Sequence, residues 1–468
     1  MWSKRSSYAF KVVIPAFTVV ILINYWTITR LESERYRFTK RNVLTANHND
    51  HVTTDQLIYQ DTTKLPFRFY IYDLPSSLNN DILNNFPDRK CFNFSSYGMG
   101  LEIYKTGNGD GSFSVYDTNQ FNLEVIIHEK LKINALQTRD PEKADLFYVP
   151  AYIGLLCIGD RQKVPDAIKR LKDFLTKSPY FSSGKPHFST TSKIQKEMTS
   201  RLCPYLLEPF TYNITFISIE KQKISKAVNT IWPYTIMPKN SLILAPYPSS
   251  GHFLQSRETD LSVVPMNDRD VFILLPVGER PSNPQRSKLM DQFEIKTKLA
   301  YRMFKMCHTK GPTNMVLFYT NECSVEVTKY LIPWMQHSVF CLQPPGDSPS
   351  RKSFYDSIMS GCIPVILTDE EGHNPYAFQE FLDYDSFTVS IEMNRVTNEG
   401  HKIFNILQDV TKVKIQQMQD KIRQIALYMQ YSVPSGKVER ENDALQLIFK
   451  LLSYKFNLKY DWNIEELY

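Results

Sequence analysis

The chain has 468 residues, 42% hydrophobic and 13% aromatic, which is enough apolar mass for two ordinary cores and too much for a disordered chain. With 16 Gly, 27 Pro and no fixed internal period, collagen-like, solenoid and propeller designs are excluded. The net charge of +6 is an end effect: residues 1–50 hold eight Lys or Arg against three Asp or Glu, while the other 418 hold 47 against 46. Bulk charge therefore gives nucleic-acid binding no support.

Residues 1–11 are a short basic tail, and 12–28 (VVIPAFTVVILINYWTI) carry no charge. At 1.5 Å per residue this run spans about 25 Å, enough for a thin membrane, and Tyr25 and Trp26 place interfacial rings at its far end. No small-x-small cleavage site follows it, so it reads as an uncleaved anchor rather than a signal peptide. Three basic residues precede it and five follow, so charge alone does not orient it. Residues 29–65 are polar and without apolar period, and read as a stem.

Asn93-Phe94-Ser95 and Asn213-Ile214-Thr215 are glycosylation sequons, for which Asn93 and Asn213 are the acceptors. The seven cysteines contain no CxxC pair, so no zinc pattern is present. In an oxidising compartment Cys307 and Cys323 can pair across the run MVLFYT, whereas Cys341 and Cys362 read as buried thiols.

From residue 66 strand-like and helical patterns alternate. The strands are expected in 67–74, 144–152, 213–219 and 241–247, with helices near 120–131 and 164–176 between them. A second series has strands in 269–276, 315–319, 338–342 and 362–367, and helices inside 286–307 and near 325–336 and 350–360. Such alternation predicts parallel sheets. The expected fold class is α/β, with two Rossmann-like doubly wound domains (66–265 and 266–432) facing across a cleft and a helical tail at 433–468 packing back on the body.

The most informative segment is 338–367, SVFCLQPPGDSPSRKSFYDSIMSGCIPVIL. A buried strand leads through a Pro-Pro-Gly loop into a helix that Gly361 ends. Free amides at the helix start favour an anion, and Ser348, Ser350, Arg351 and Lys352 add hydroxyls and positive charge suited to a diphosphate. Asp356, further along the helix, is placed to accept ribose hydroxyls. The plainer reading is a Ser-capped connection with a Lys352–Asp356 pair on a solvated face.

These residues, together with YIYDLP (70–75), TNQF (118–121), ADLFYVPAY (144–152), GKPHF (184–188), PYP (246–248) and GERPSNPQR (278–286), resemble the exostosin-type glycosyltransferases, in particular the plant xyloglucan galactosyltransferase branch. The resemblance covers roughly residues 66–395. It implies a GT-B fold, a nucleotide-sugar donor held by the second domain, a glycan or polysaccharide acceptor, inversion at the anomeric carbon and no required metal or other cofactor. It also implies a body facing the Golgi lumen from a single-pass membrane anchor. UDP-galactose is the first expectation for the donor, and an oligomer is allowed for.

Carried over by residue, Gly346, Ser350, Arg351 and Asp356 match the family's donor block, and Arg280 and Arg286 match its basic positions before the long helix. Arg351 would hold the leaving diphosphate's charge. His187 matches the histidine of the family's G-x-D-H-F pattern and is the expected general base, with His252, Asp260 and His373 behind it. Pro186 stands where that pattern has Asp, which opens a second reading, a non-catalytic glycan-binding or stabilising partner of an active transferase. The triplets DRD (268–270) and DYD (383–385) are of a kind that chance supplies and do not argue for a metal site.

Overall fold

Runs of β-branched and aromatic residues form the strands, and the central strands of the parallel sheets are buried along nearly their whole length, as parallel strands covered on both faces must be. The computed structural model describes residues 66–460 except 89, 107–112, 222–240, 254–263, 279–283, 294–304, 309–314, 320–324, 347, 369–375 and 434–442. The tail, anchor and stem expected at 1–65 lie outside the described residues, and no described helix is long and apolar enough to cross a membrane.

In chain order the strands are β1 (Phe69–Ile71), β2 (Glu102–Thr106), β3 (Phe113–Tyr116), β4 (Leu146–Val149), β5 (His187–Thr191), β6 (Ile214–Ser218), β7 (Ser241–Leu244) and β8 (Gly251–Phe253). They continue with β9 (Val271–Val277), β10 (Lys305–His308), β11 (Met315–Tyr319), β12 (Ser338–Gln343), β13 (Ile363–Thr368) and β14 (Val389–Glu392). The helices used below are α1 (Leu123–Lys132), α2 (Ile153–Gly159), α3 (Val164–Lys177), α4 (Pro284–Asp291), α5 (Val325–Gln336), α6 (Lys352–Met359), α7 (Lys412–Ile425) and α8 (Ala444–Phe456).

Two parallel sheets result. The first runs β1-β4-β5-β6-β7, so spatial order follows chain order and the expected doubly wound reversal is missing. Between β1 and β4 the chain leaves the sheet to form β2 and β3, which pair with β8, after β7, in a separate antiparallel sheet, β2-β3-β8. The second sheet, β10-β11-β9-β12-β13-β14, does reverse: from β9 the chain moves outward to β10 and β11, then returns to the other side as β12. Its edge strand β10 is antiparallel to β11 and stands where the sequence pattern pointed to the end of a long helix. Among the described residues of that segment the helix is only α4.

Helix α6 ends in a Schellman motif. Gly361 has φ +66°, its N–H donates to the Ile358 carbonyl at 3.0 Å, and the Cys362 N–H donates to Ser357 at 2.9 Å. The chain then enters β13, hydrogen-bonded to β12, and Cys341 and Cys362 form a disulfide between the two strands. A second disulfide joins Cys157 to Cys203. The reading of Cys341 and Cys362 as separate buried thiols is thus corrected: adjacent parallel strands bring their Cα atoms to 5.9 Å, within bridging reach. The Cys307–Cys323 pairing lies outside the described side chains.

The C-terminal segment crosses back to the first sheet. Phe449 of α8 packs its ring against Phe67 and Phe69 at 5.5 and 5.6 Å, and the Phe67 N–H donates to the Lys459 carbonyl. Lys130 of α1 meets Asp443 at 2.8 Å and donates to the Ser432 carbonyl and hydroxyl, with both charged side chains almost fully buried. Replacing Lys130 by Met leaves Asp443 buried without its cation. We expect a loss of about 3–5 kcal/mol in urea unfolding, and less when Asp443 is replaced by Leu in the same chain.

Candidate active site

The reversal of the second sheet falls between β9 and β12, and three prolines shape it. The β9–β12 register ends at Leu274 opposite Cys341. Beyond it come Pro276 on one strand and Pro344 and Pro345 after the other, none of which has an N–H to extend the ladder. Two guanidinium groups take up the carbonyls left over. Arg351 donates to Pro276 (3.0 Å) and Pro344 (3.2 Å), and Arg286, only 4% exposed, donates to Gly278 and Pro345 at 3.0 Å each. Gly346 lies so close to this second staple that a Cβ there would sit 3.2 Å from Arg286 Nη2. Arg280 lies outside the described residues.

Helix α6 starts directly after Arg351, and its amino end faces a cleft of about 490 Å³, a size suited to a small ligand. The second half contributes Pro276, Gly278, Arg286, Phe318, Gly346, Ser348, Ser350, Arg351 and Asp356 to the walls. The first half contributes Asp117, Asn119, Phe121, Ile194, Glu197 and Tyr247. Ile194 and Glu197 follow β5 and Tyr247 follows β7, so the carboxyl ends of both parallel sheets converge on this cleft.

The helix start is also held by the first half. Ser350 donates from its N–H (3.1 Å) and its hydroxyl to the carboxylate of Glu220, a residue just beyond β6. Burial raises the Glu220 pKa, while the Ser350 and Ser348 hydroxyls and then the Ser350 amide oppose that rise. Asp356 is 4% exposed, and its carboxylate accepts from the Ser250 N–H at 2.7 Å and from Lys352 Nζ at 2.8 and 2.9 Å. The Lys352–Asp356 pair therefore exists, but as a buried joint between the halves rather than on a solvated face. The Asp356 oxygens expected to receive a ribose are already engaged.

Asp117 is the acid of the first half that sequence reasoning missed. It lines the cleft at the end of β3, half-buried, and burial raises its pKa against the pull of the Lys352 ammonium. Its carbonyl would lie 2.5 Å from a Cβ on Gly100, whose φ is +96°, so only glycine fits there. Glu197, also in the cleft wall, pairs with Lys193 at 3.3 Å.

Residues 63–407 match the Exostosin GT47 domain. The chain belongs to this glycosyltransferase family. It is 28% identical over 408 residues to a probable xyloglucan galactosyltransferase of Arabidopsis thaliana, GT15, covering 80% of this chain and 79% of that one. It is also 25% identical over 409 residues to the Arabidopsis thaliana xyloglucan-specific galacturonosyltransferase 1, covering 82% and 56%. Among solved structures, the pneumococcal O-GlcNAc transferase GtfA aligns at 11% identity with a TM-score of 0.32, over 71% of this chain and 58% of that one.

In this GT47 transferase the structure brings Arg286, Gly346, Ser348, Ser350, Arg351 and Asp356 together at the cleft, and His187 is not among them. His187 opens β5, at the end of the sheet opposite the cleft, and is 1% exposed. Its Nδ1 donates to the Lys185 carbonyl at 2.6 Å, so its Nε2 accepts from the Tyr72 hydroxyl at 2.8 Å. The ring is further packed by Phe147 and Phe181. His252 lies behind the wall, with Nδ1 bonded to the Tyr431 carbonyl at 2.9 Å. Asp260 and His373 lie outside the described residues. Of the two sequon residues, Asn213 is exposed before β6, while Asn93 is half-buried and accepts from the Ser95 N–H.

Burial pushes the His187 pKa down to about 4 from 6.5, with the Lys185 carbonyl opposing. The folded protein therefore keeps this ring neutral where the unfolded chain protonates it. Its contribution is present above about pH 6.5 and is lost as the pH falls toward about 4. In urea unfolding at pH 7 and pH 5, the His187→Gln variant should show an acid-side loss smaller than the parent's by about 2 kcal/mol.

Proposed function

We propose that the chain transfers galactose from UDP-galactose to a xyloglucan-like polysaccharide, with inversion at the anomeric carbon and without a metal ion. Its two sheets facing across one cleft would make it a GT-B enzyme. The observation that carries the reading is the convergence of Arg286, Arg351 and the α6 amino end on the reversal point of the second sheet. The names of the relatives supply galactose and xyloglucan, and the galacturonosyltransferase among them shows that related chains differ in donor sugar. Two disulfides and an exposed Asn213 fit a lumenal body, held in the Golgi membrane by residues 12–28.

An acceptor hydroxyl attacks the anomeric carbon as the bond from that carbon to the diphosphate oxygen breaks. The UDP that leaves carries the electron pair of that bond, and the two guanidinium groups with the helix dipole offset its charge. The hydroxyl proton passes to Asp117, which stands on the first half's wall of the cleft and whose partial burial raises its affinity for a proton.

UDP release from UDP-galactose with xyloglucan as acceptor tests the reading. The Arg351→Ala variant should lose about 10²–10³ in kcat/KM. The Asp117→Asn variant should lose about 10²–10⁴ in kcat, with donor affinity held within about twofold. Turnover no faster with UDP-galactose than with other nucleotide sugars would overturn the donor assignment.

A further inference from the structure

Two donors that a diphosphate would use at the start of α6, the amide and the hydroxyl of Ser350, are already taken by an anion of the protein's own. Glu220 comes from the first half, is 4% exposed, and takes both the amide and the hydroxyl of Ser350. The same serine stands in the cleft wall beside Arg351. Among the described residues phenols lie around the carboxylate: Tyr247, Tyr355 and Tyr376 all feel its charge, and Lys196 acts back on it. The Ser350 contact therefore satisfies much of the buried charge, and an arriving phosphate offers those donors more charge than one carboxylate does.

We propose that Glu220 is a gating residue, an internal stand-in for the donor's phosphate that holds the Ser350 donors and that the nucleotide sugar displaces on binding. This rests on the reading that a nucleoside diphosphate binds at α6. Displacement would release the β6 end of the first half from the donor loop of the second, while the Asp356–Ser250 joint still holds the far side of α6. Donor arrival thereby becomes coupled to the fit between the two cleft walls. Glu220 is in this view a positioning residue that acts through Ser350 and takes no proton from the acceptor.

The test is calorimetric titration of UDP into the full chain and its Glu220→Gln and Glu220→Ala variants, with kcat measured in parallel. Removing the charge weakens the stand-in, so UDP should bind about fivefold tighter to the Gln variant and at least as tightly to the Ala variant. A residue that merely supported the fold would loosen binding when replaced, never tighten it. Unchanged or weaker binding in both variants, with the parent binding UDP, overturns the gate and leaves the proposed function standing. A fall of about 100-fold in kcat at constant UDP affinity would mark Glu220 as the base and also overturn the gate. No UDP binding by parent or variants would remove the donor reading itself, and the gate with it.

Discussion

Two guanidinium groups bound to four main-chain carbonyls are the interaction on which the site depends. Past Leu274 and Cys341 the ladder between β9 and β12 cannot continue, because prolines supply carbonyls there without N–H groups. Arg286 and Arg351 answer those carbonyls across the gap. The same contacts that keep the strand ends from collapsing together therefore fix two permanent positive charges at the one reversal point of the second sheet. The loop shape, the start of α6 and the electrostatics of the cleft all follow from this pairing.

The two halves are joined on both sides of that centre. Near the cleft, Glu220 and Ser250 of the first half hold Ser350 and Asp356 of the second. Away from it, the final helix returns to β1, and the Lys130–Asp443 pair is buried with its hydrogen bonds satisfied. The contacts near the cleft are polar, whereas the return of α8 buries aromatic rings.

The second sheet was legible because parallel strands buried on both faces are continuous apolar runs, and SVFCLQ and IPVILT stand out from their surroundings. The donor loop was legible for a similar reason, since Pro-Pro-Gly and the serines before α6 punctuate a strand-to-helix passage. The short edge strand β10 was not: four residues set by antiparallel pairing to β11 carry no period of their own. Nor was the Cys341–Cys362 bridge, which depends on β12 and β13 being neighbours. His187 was singled out by a motif match, yet the structure seats it away from the cleft, since the first residue of a parallel strand lies at the far end of the sheet from a carboxyl-end cleft. Asp117 and Glu220 are single acids without a spacing signature, and only the meeting of the two halves brings one to the cleft wall and the other to Ser350. The TNQF match began one residue after Asp117.

The Cys341–Cys362 bond has a practical side. It ties the strand that leads into the loop before α6 to the residue that precedes β13, at a sequence separation of 21, so the segment between them is closed into a covalent ring. Opening the ring with a thiol reductant frees that span in the unfolded chain, at a cost in stability of about 3 kcal/mol by loop-closure arithmetic. Material prepared in a reducing cytosol is expected to be less stable by that margin, so the oxidation state of a preparation belongs among the first things measured on it.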